Sequence, residues 1–205
     1  PKHIGSIDVD IALDVTRLAD GRYAELLKLL LDKPRYRMGT KPFQLVTEVL
    51  LGDGHPAVLV ELEFLAASDV QLKKNRSKLV DGFRVLRFDA CAAAFQSPIE
   101  KSISGEMIDG TANSVSMQVA SLSDFLVMKA HAIDGRDKPK DVYDLCYCLE
   151  GYPGGVDAAG RDWRKRRGDR LVLKSVEILR TKFASVDHYG PRQLEAFHYA
   201  VDEEE

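Results

Sequence analysis

The chain has 205 residues, 45% of them hydrophobic and 30% charged, with a formal net charge of −3. That length suits one sizeable domain or a domain with a helical extension, and the weak negative charge excludes a general electrostatic pull toward nucleic acid. No apolar run is long enough for a membrane span and no signal peptide is evident, so no membrane partner is expected.

The three cysteines, Cys91, Cys146 and Cys148, are odd in number and lack metal-ligand spacing. They read as reduced, mostly packed thiols of a cytoplasmic protein.

The first element is the run Ile4-Gly5-Ser6-Ile7-Asp8-Val9-Asp10-Ile11-Ala12-Leu13. Outside its carboxylates it is apolar, which predicts a buried strand. Side chains two apart on a strand share a face, with Cα atoms roughly 6.5–7 Å apart. Asp8 and Asp10 therefore project together. Two uncompensated charges on one apolar element are costly, and a divalent cation resolves the conflict. Oxygen-only ligands suit Mg²⁺ or Mn²⁺. The plainer alternative is that both acids face water. Ser6 could offer a hydroxyl or backbone N–H to a phosphate, and Gly5 would let the backbone come close. The plainer alternative for that pair is an ordinary turn.

Thr16 or Asp20 is placed to cap a helix over Tyr23 to Leu31, which Pro34 ends. A hairpin follows, with strands Phe43–Leu51 and Ala57–Leu65 around Gly52-Asp53-Gly54-His55-Pro56. On the return strand Leu59, Glu61, Glu63 and Leu65 share one face, which offers a second acid pair. Glu61 is favoured slightly over Glu63 as a third metal-binding carboxylate. The competing expectation is a solvent-facing sheet surface. A basic loop, Gln71 to Lys78, comes next. Arg84 to Phe88 reads as a short strand and Ala90 to Phe95 as a short helix. Two more strands, Ile99–Met107 and Ser114–Ala120, flank the turn pair Asp109-Gly110.

From Ser121 the apolar period lengthens from two toward four, and Ser121 with Asp124 forms a helix-start signal. Helices are predicted to Ala132, over Pro139–Leu149, Ala158–Arg166, Asp169–Phe183 and Pro191–Val201. The terminal acids 202–205 read as a solvated tail. The fold class is therefore α+β (mixed α/β), with a strand-rich part over residues 1–120 and a helical C-terminal part over 121–205.

Between the first two of those helices lies Lys129-Ala130-His131-Ala132-Ile133-Asp134-Gly135-Arg136-Asp137-Lys138-Pro139-Lys140-Asp141-Val142-Tyr143-Asp144-Leu145. Lys129 is the polar residue of a packed helix face, and its amine suits phosphate as a point charge. Arg136 in the connection could bind phosphate or carboxylate through its planar fork. Lys140 and Asp141 open the next helix. Asp141 and Asp144 are i, i+3 neighbours. Without a ligand, Asp141 would serve the helix N-terminus and Asp144 would pair with Lys140 or Arg136.

The two motifs together resemble the AbiEii/AbiGii-type nucleotidyltransferases, a branch of the polymerase-β nucleotidyltransferase superfamily that includes toxins of toxin–antitoxin systems. Ser6, Asp8, Asp10 and Ile11 match the first motif, while Ile4 stands where it has arginine. Lys129, Ala132, Arg136, Lys140, Asp141, Asp144 and Leu145 match the second. The resemblance covers about residues 4–150. It implies a nucleotidyltransferase-like mixed sheet with flanking helices. It also implies Mg²⁺ and a nucleoside triphosphate at Asp8 and Asp10, with Glu61 or Glu63 acting on the attacking hydroxyl. Lys129 would meet the triphosphate, with Arg136 and Lys140 in the same phosphate-binding set, and Asp141 would order the site. The superfamily's glycine–serine signature normally lies further upstream of the first Asp than this chain reaches, so an upstream segment is expected to be missing.

Two basic runs, Lys73 to Lys78 and Arg161 to Arg170 around Trp163, could meet a phosphate backbone, with Trp163 stacking a base. The favoured expectation is a solvated helix face. His131 and Tyr143 are expected to be structural. The reading is a metal-dependent nucleotidyltransferase that uses a tRNA 3′ end or a protein hydroxyl as acceptor and has a possible antitoxin partner. The alternatives are an inactive module that binds nucleotide, RNA or antitoxin, and, ranked last, a metal-dependent hydrolase.

Overall fold

A computed structural model describes residues 3, 5–14, 22–32, 36–50, 54–67, 84–107 and 110–202. The expectations for Ile4, Thr16, Asp20, Pro34, the basic loop 71–78 and the acids 203–205 fall outside those residues. The chain forms two compact units, Pro1–Ala92 and Ala93–Glu205.

In the first unit, β1 (Asp8–Ala12) and α1 (Arg22–Leu31) are followed by β2 (Arg37–Met38), β3 (Gln44–Val49), β4 (Val58–Ala66) and β5 (Leu86–Arg87). The sheet order is β1-β4-β3-β2, and β5 also pairs with β4. β1 and β5 run parallel to β4, whereas β3 is antiparallel to both β4 and β2. The sheet is therefore mixed.

Period-two alternation sorts its two faces. Ile11, Leu13, Leu45, Leu62 and Phe64 turn to one side, where they pack with Tyr23 and Leu27 of α1. Tyr23 meets Phe64 edge-on, with ring centroids 5.8 Å apart. Leu27 and Phe64 are fully buried, and each such side chain contributes about 1.5–3 kcal/mol. The opposite face carries the acids.

β1 differs from its expectation. It ends the strand order instead of lying inside it, and Val9 is 47% exposed. The apolar run signals a strand, but only its C-terminal half, Ile11 and Leu13, packs into the α1 cluster.

The second unit contains β6 (Ile99–Glu106), β7 (Ala112–Val119) and the helices α2 (Leu122–Gly135), α3 (Pro139–Glu150), α4 (Gly155–Lys165), α5 (Arg170–Lys182) and α6 (Tyr189–Asp202). A 3₁₀ segment, Asp89–Phe95, spans the junction of the two units. β6 and β7 form a two-stranded antiparallel ribbon. Its register sets Ile99, Ile103, Val115, Met117 and Val119 on one face and mostly Ser, Gln and Glu on the other. All its residues are exposed. Gly110 takes φ 81° in the connecting turn, the left-handed region that glycine enters without a Cβ clash.

The helices begin where capping chemistry allows. Asp124 N–H donates to Ser121 Oγ at 3.2 Å, Pro139 opens α3, and Leu171 N–H donates to Asp169 Oδ1 at 2.8 Å. Leu126, Ala130 and Ile133 of α2 pack with Val142 and Leu145 of α3, Tyr152 and Ala159. Tyr143 stacks on Phe197 of α6 at 4.4 Å, the structural role expected of it. Strands and helices are thus segregated in an α+β arrangement. Among the described residues, no helix is long and apolar enough to cross a membrane. Cys91, Cys146 and Cys148 are all free thiols.

Candidate active site

β1 and β4 pair in parallel with Asp8 opposite Glu61 and Asp10 opposite Glu63. Partners in register point to the same side, so four carboxylates share the sheet face that α1 leaves uncovered. Asp10 is exposed, Asp8 and Glu61 are half-buried, and Glu63 is 9% exposed. The Ser6 hydroxyl donates to Asp8 Oδ1. Gly5 has φ 95°, a conformation that favours glycine, and its N–H donates to His3 Nδ1 at 2.9 Å.

Two residues that sequence reasoning missed hold the glutamates. β3 sets Gln44 opposite Glu63, and its side-chain N–H₂ donates to Glu61 at 2.7 Å and to Glu63 at 3.1 Å. Lys41, in the turn between β2 and β3, donates to Glu63 Oε1 at 2.6 Å and lies 3.9 Å from Glu61. The hydrogen bond to Glu63 raises the Lys41 pKa against a smaller lowering by burial. Gly39 backs this arrangement, since a Cβ there would sit 2.3 Å from Gln44 Oε1. A cavity of about 190 Å³ opens beside Glu61, lined by Arg37, Gly39, Thr40, Gln44 and Leu59 among others. Gln44 opens a strand that also carries Thr47 and Glu48, so its polarity does not single it out in the sequence. Its partners depend on strand register, which periodicity does not contain.

The donor chemistry of the acid face fits a hard divalent cation, because carboxylate oxygens are the preferred ligands of Mg²⁺ and Mn²⁺. Among the described residues, no group of three or more His, Cys, Asp or Glu is disposed to hold a metal ion. Cys91 lies buried near Asp10. Burial first, and the Asp10 charge second, push its thiol up to about 11, which makes it a poor thiolate.

In the second unit, the residues of the later motif converge. Lys129 Nζ donates to Asp141 Oδ1 at 2.9 Å and to Asp144 Oδ2 at 2.7 Å. Arg136 grips Asp141 with two hydrogen bonds, Nε to Oδ2 at 2.7 Å and Nη2 to Oδ1 at 2.9 Å. Lys140 reaches Asp144 at 3.0 Å. Asp141 is 1% and Asp144 4% exposed. Burial alone would raise both carboxyl pKa values. Arg136 and Lys129 outweigh it at Asp141, as Lys129 and Lys140 do at Asp144, so both are held below the usual range. Burial would lower Lys129, but its two carboxylates raise it instead. Lys129, Asp141 and Asp144 thus hold one another in their charged forms. The expectation for Asp144 of an ion pair with Lys140 is met, and Lys129 joins it. Asp141 sits in the first turn of α3 and also serves two cations from α2 and the connection.

The second basic run is partly internal. Arg166 donates to fully buried Asp124 at 2.5 Å and to Asp169 at 2.8 Å. Trp163 Nε1–H donates to the Ser123 carbonyl at 3.3 Å, so its indole is engaged within the helices. His131 Nε2 lies 3.1 Å from the Leu171 carbonyl, as a structural residue would.

No curated protein and no solved structure matches the chain. A family model described as "Nucleotidyl transferase AbiEii toxin, Type IV TA system" matches residues 5–198. That span takes in both the acid strands and the lysine–aspartate helices. The chain belongs to this AbiEii family of nucleotidyltransferase toxins from type IV toxin–antitoxin systems.

Proposed function

We propose that the protein transfers a nucleoside monophosphate from a nucleoside triphosphate to a hydroxyl acceptor, with Asp8, Asp10 and one of Glu61 or Glu63 holding Mg²⁺ or Mn²⁺. The observation that carries this reading is the register that aligns Asp8 with Glu61 and Asp10 with Glu63 on the face opposite α1. A bound cation would neutralise phosphate charge and polarise the attacked phosphorus. The remaining glutamate accepts the proton of the acceptor hydroxyl as its oxygen bonds to the α-phosphorus. The bond to the bridging oxygen breaks, and pyrophosphate leaves with that electron pair. Gly5 and Ser6 lie next to the acids and suit a phosphate contact.

Lys129, Arg136 and Lys140 form the phosphate-binding set in this reading, and Asp141 positions the first two. A tRNA 3′ end or a protein hydroxyl serves as acceptor, and an antitoxin as regulatory partner. Free thiols at Cys91, Cys146 and Cys148 agree with a cytoplasmic location.

The test is pyrophosphate release and label transfer from each labelled triphosphate in the presence of total cellular RNA or protein, with Mg²⁺ or Mn²⁺. Transfer that disappears in Asp8→Asn and Asp10→Asn supports the assignment. Undiminished transfer in both variants refutes it. The engagement of Glu63 by Lys41 favours one second reading, a module that binds nucleotide, RNA or antitoxin without turnover. Calorimetric nucleotide binding with no transfer to any acceptor would select it.

A further inference from the structure

Lys41 lies where the acid face needs positive charge. Its Nζ is 2.6 Å from Glu63 Oε1 and 3.9 Å from Glu61 Oε2, and Gln44 Nε2 bridges the same two carboxylates from the strand beside them. Glu63 is 9% exposed, and a carboxylate so buried needs a compensating charge. Only Lys41 supplies a full charge to it among the described ion pairs. The lysine side chain is itself 48% exposed and belongs to a turn, so its ammonium can move into water once another cation compensates Glu63. A divalent cation drawn to these oxygens meets that ammonium first. Two cations cannot share one carboxylate edge without strong repulsion.

We propose that Lys41 is a resident counter-ion of the Glu61–Glu63 pair, one that a divalent cation displaces on binding. The inference rests on the cation-dependent reading above. Lys41 keeps the glutamates compensated while the cation is absent and sets how tightly it is taken up. Gln44, which is neutral, keeps its hydrogen bonds in both states and preserves the orientation of the pair.

Calorimetric titration of the full chain with Mn²⁺ tests the assignment. Lys41→Met should bind Mn²⁺ about tenfold more tightly than the unaltered protein, since one repelling charge is gone. Lys41→Gln provides an independent neutral replacement and should behave the same way. Lys41→Arg keeps the charge and should stay within about twofold of the unaltered protein. Lys28→Met removes an equal charge from α1, on the other face of the sheet, and should leave the affinity unchanged. Equal or weaker Mn²⁺ binding by both neutral variants overturns the counter-ion role while the cation-dependent reading stands. Absence of Mn²⁺ binding in every protein overturns both.

Discussion

The two units answer the same electrostatic problem in opposite ways. On the first, four carboxylates share a sheet face, and among the described residues Lys41 is the cation that reaches the two glutamates. On the second, two aspartates are enclosed by Lys129, Arg136 and Lys140. In the helical cluster both buried anions are compensated from within the chain: three cations face them, which leaves one net positive charge. Among the described residues, the strand cluster sets four carboxylates, from buried Glu63 to exposed Asp10, beside Lys41. A cluster balanced by its own chain builds the fold and positions cations. A row of carboxylates that ends in an exposed Asp10 is accessible to charge from outside.

The largest effect should come from the open cluster, and in activity alone. Asp8→Asn or Asp10→Asn should reduce nucleotidyl transfer by roughly 10²–10³-fold or more, as loss of a transition-state charge stabiliser does. Their melting temperatures should stay close to that of the unaltered protein, because Asp8 is half-buried and Asp10 exposed. A large drop in melting temperature would erase the contrast between the clusters.

The enclosed cluster should fail in stability first. Asp141→Ala leaves Lys129 and Arg136 facing a cavity, and urea unfolding should show a loss of about 3–5 kcal/mol. A loss below about 1 kcal/mol would mean that water compensates these cations as well as Asp141 does.

Acid should expose the same network. Asp141 and Asp144 have folded pKa values below their unfolded ones, so their stabilisation is fully present above the ordinary carboxylate value of about 4 and is lost as pH falls through the folded values. Lys129 is raised, so the same pairs weaken at the other extreme, as pH rises past the ordinary lysine range. Unfolding free energy measured from pH 7 down to pH 3 should therefore fall less steeply in Lys129→Met than in the unaltered protein. Parallel curves would remove Lys129 as the cause of the lowered carboxyl values.

A smaller effect returns to the strand face. Gly39→Ala puts a Cβ against Gln44 and should cost about 1–3 kcal/mol through overpacking. Chemical denaturation measures it, and an unchanged midpoint would show that Gln44 can move aside without loss.

Much of this was legible from residue order. Alternation identified β4 and the face it gives to Glu61 and Glu63. Ser121 and Pro139 marked the starts of α2 and α3. The spacing of Lys140, Asp141 and Asp144 placed them within one turn of α3. Other features were not legible. β2 has two residues, too few to carry a period. The Ile4–Leu13 run looked buried because composition does not reveal a position at the sheet edge. Lys41 and Gln44 carried no motif at all.

By itself, the sequence determined local geometry: which side chains share a strand face, where helices start, and which charges lie a turn apart. Those follow from the periods of strand and helix and from capping chemistry between near neighbours. Tertiary structure alone decided that Asp8 stands opposite Glu61, that Gln44 and Lys41 hold the glutamates, and that Lys129 is enclosed by two aspartates from the next helix. Register and packing between distant segments arise from the burial of whole faces, and no local spacing encodes which partners that burial selects.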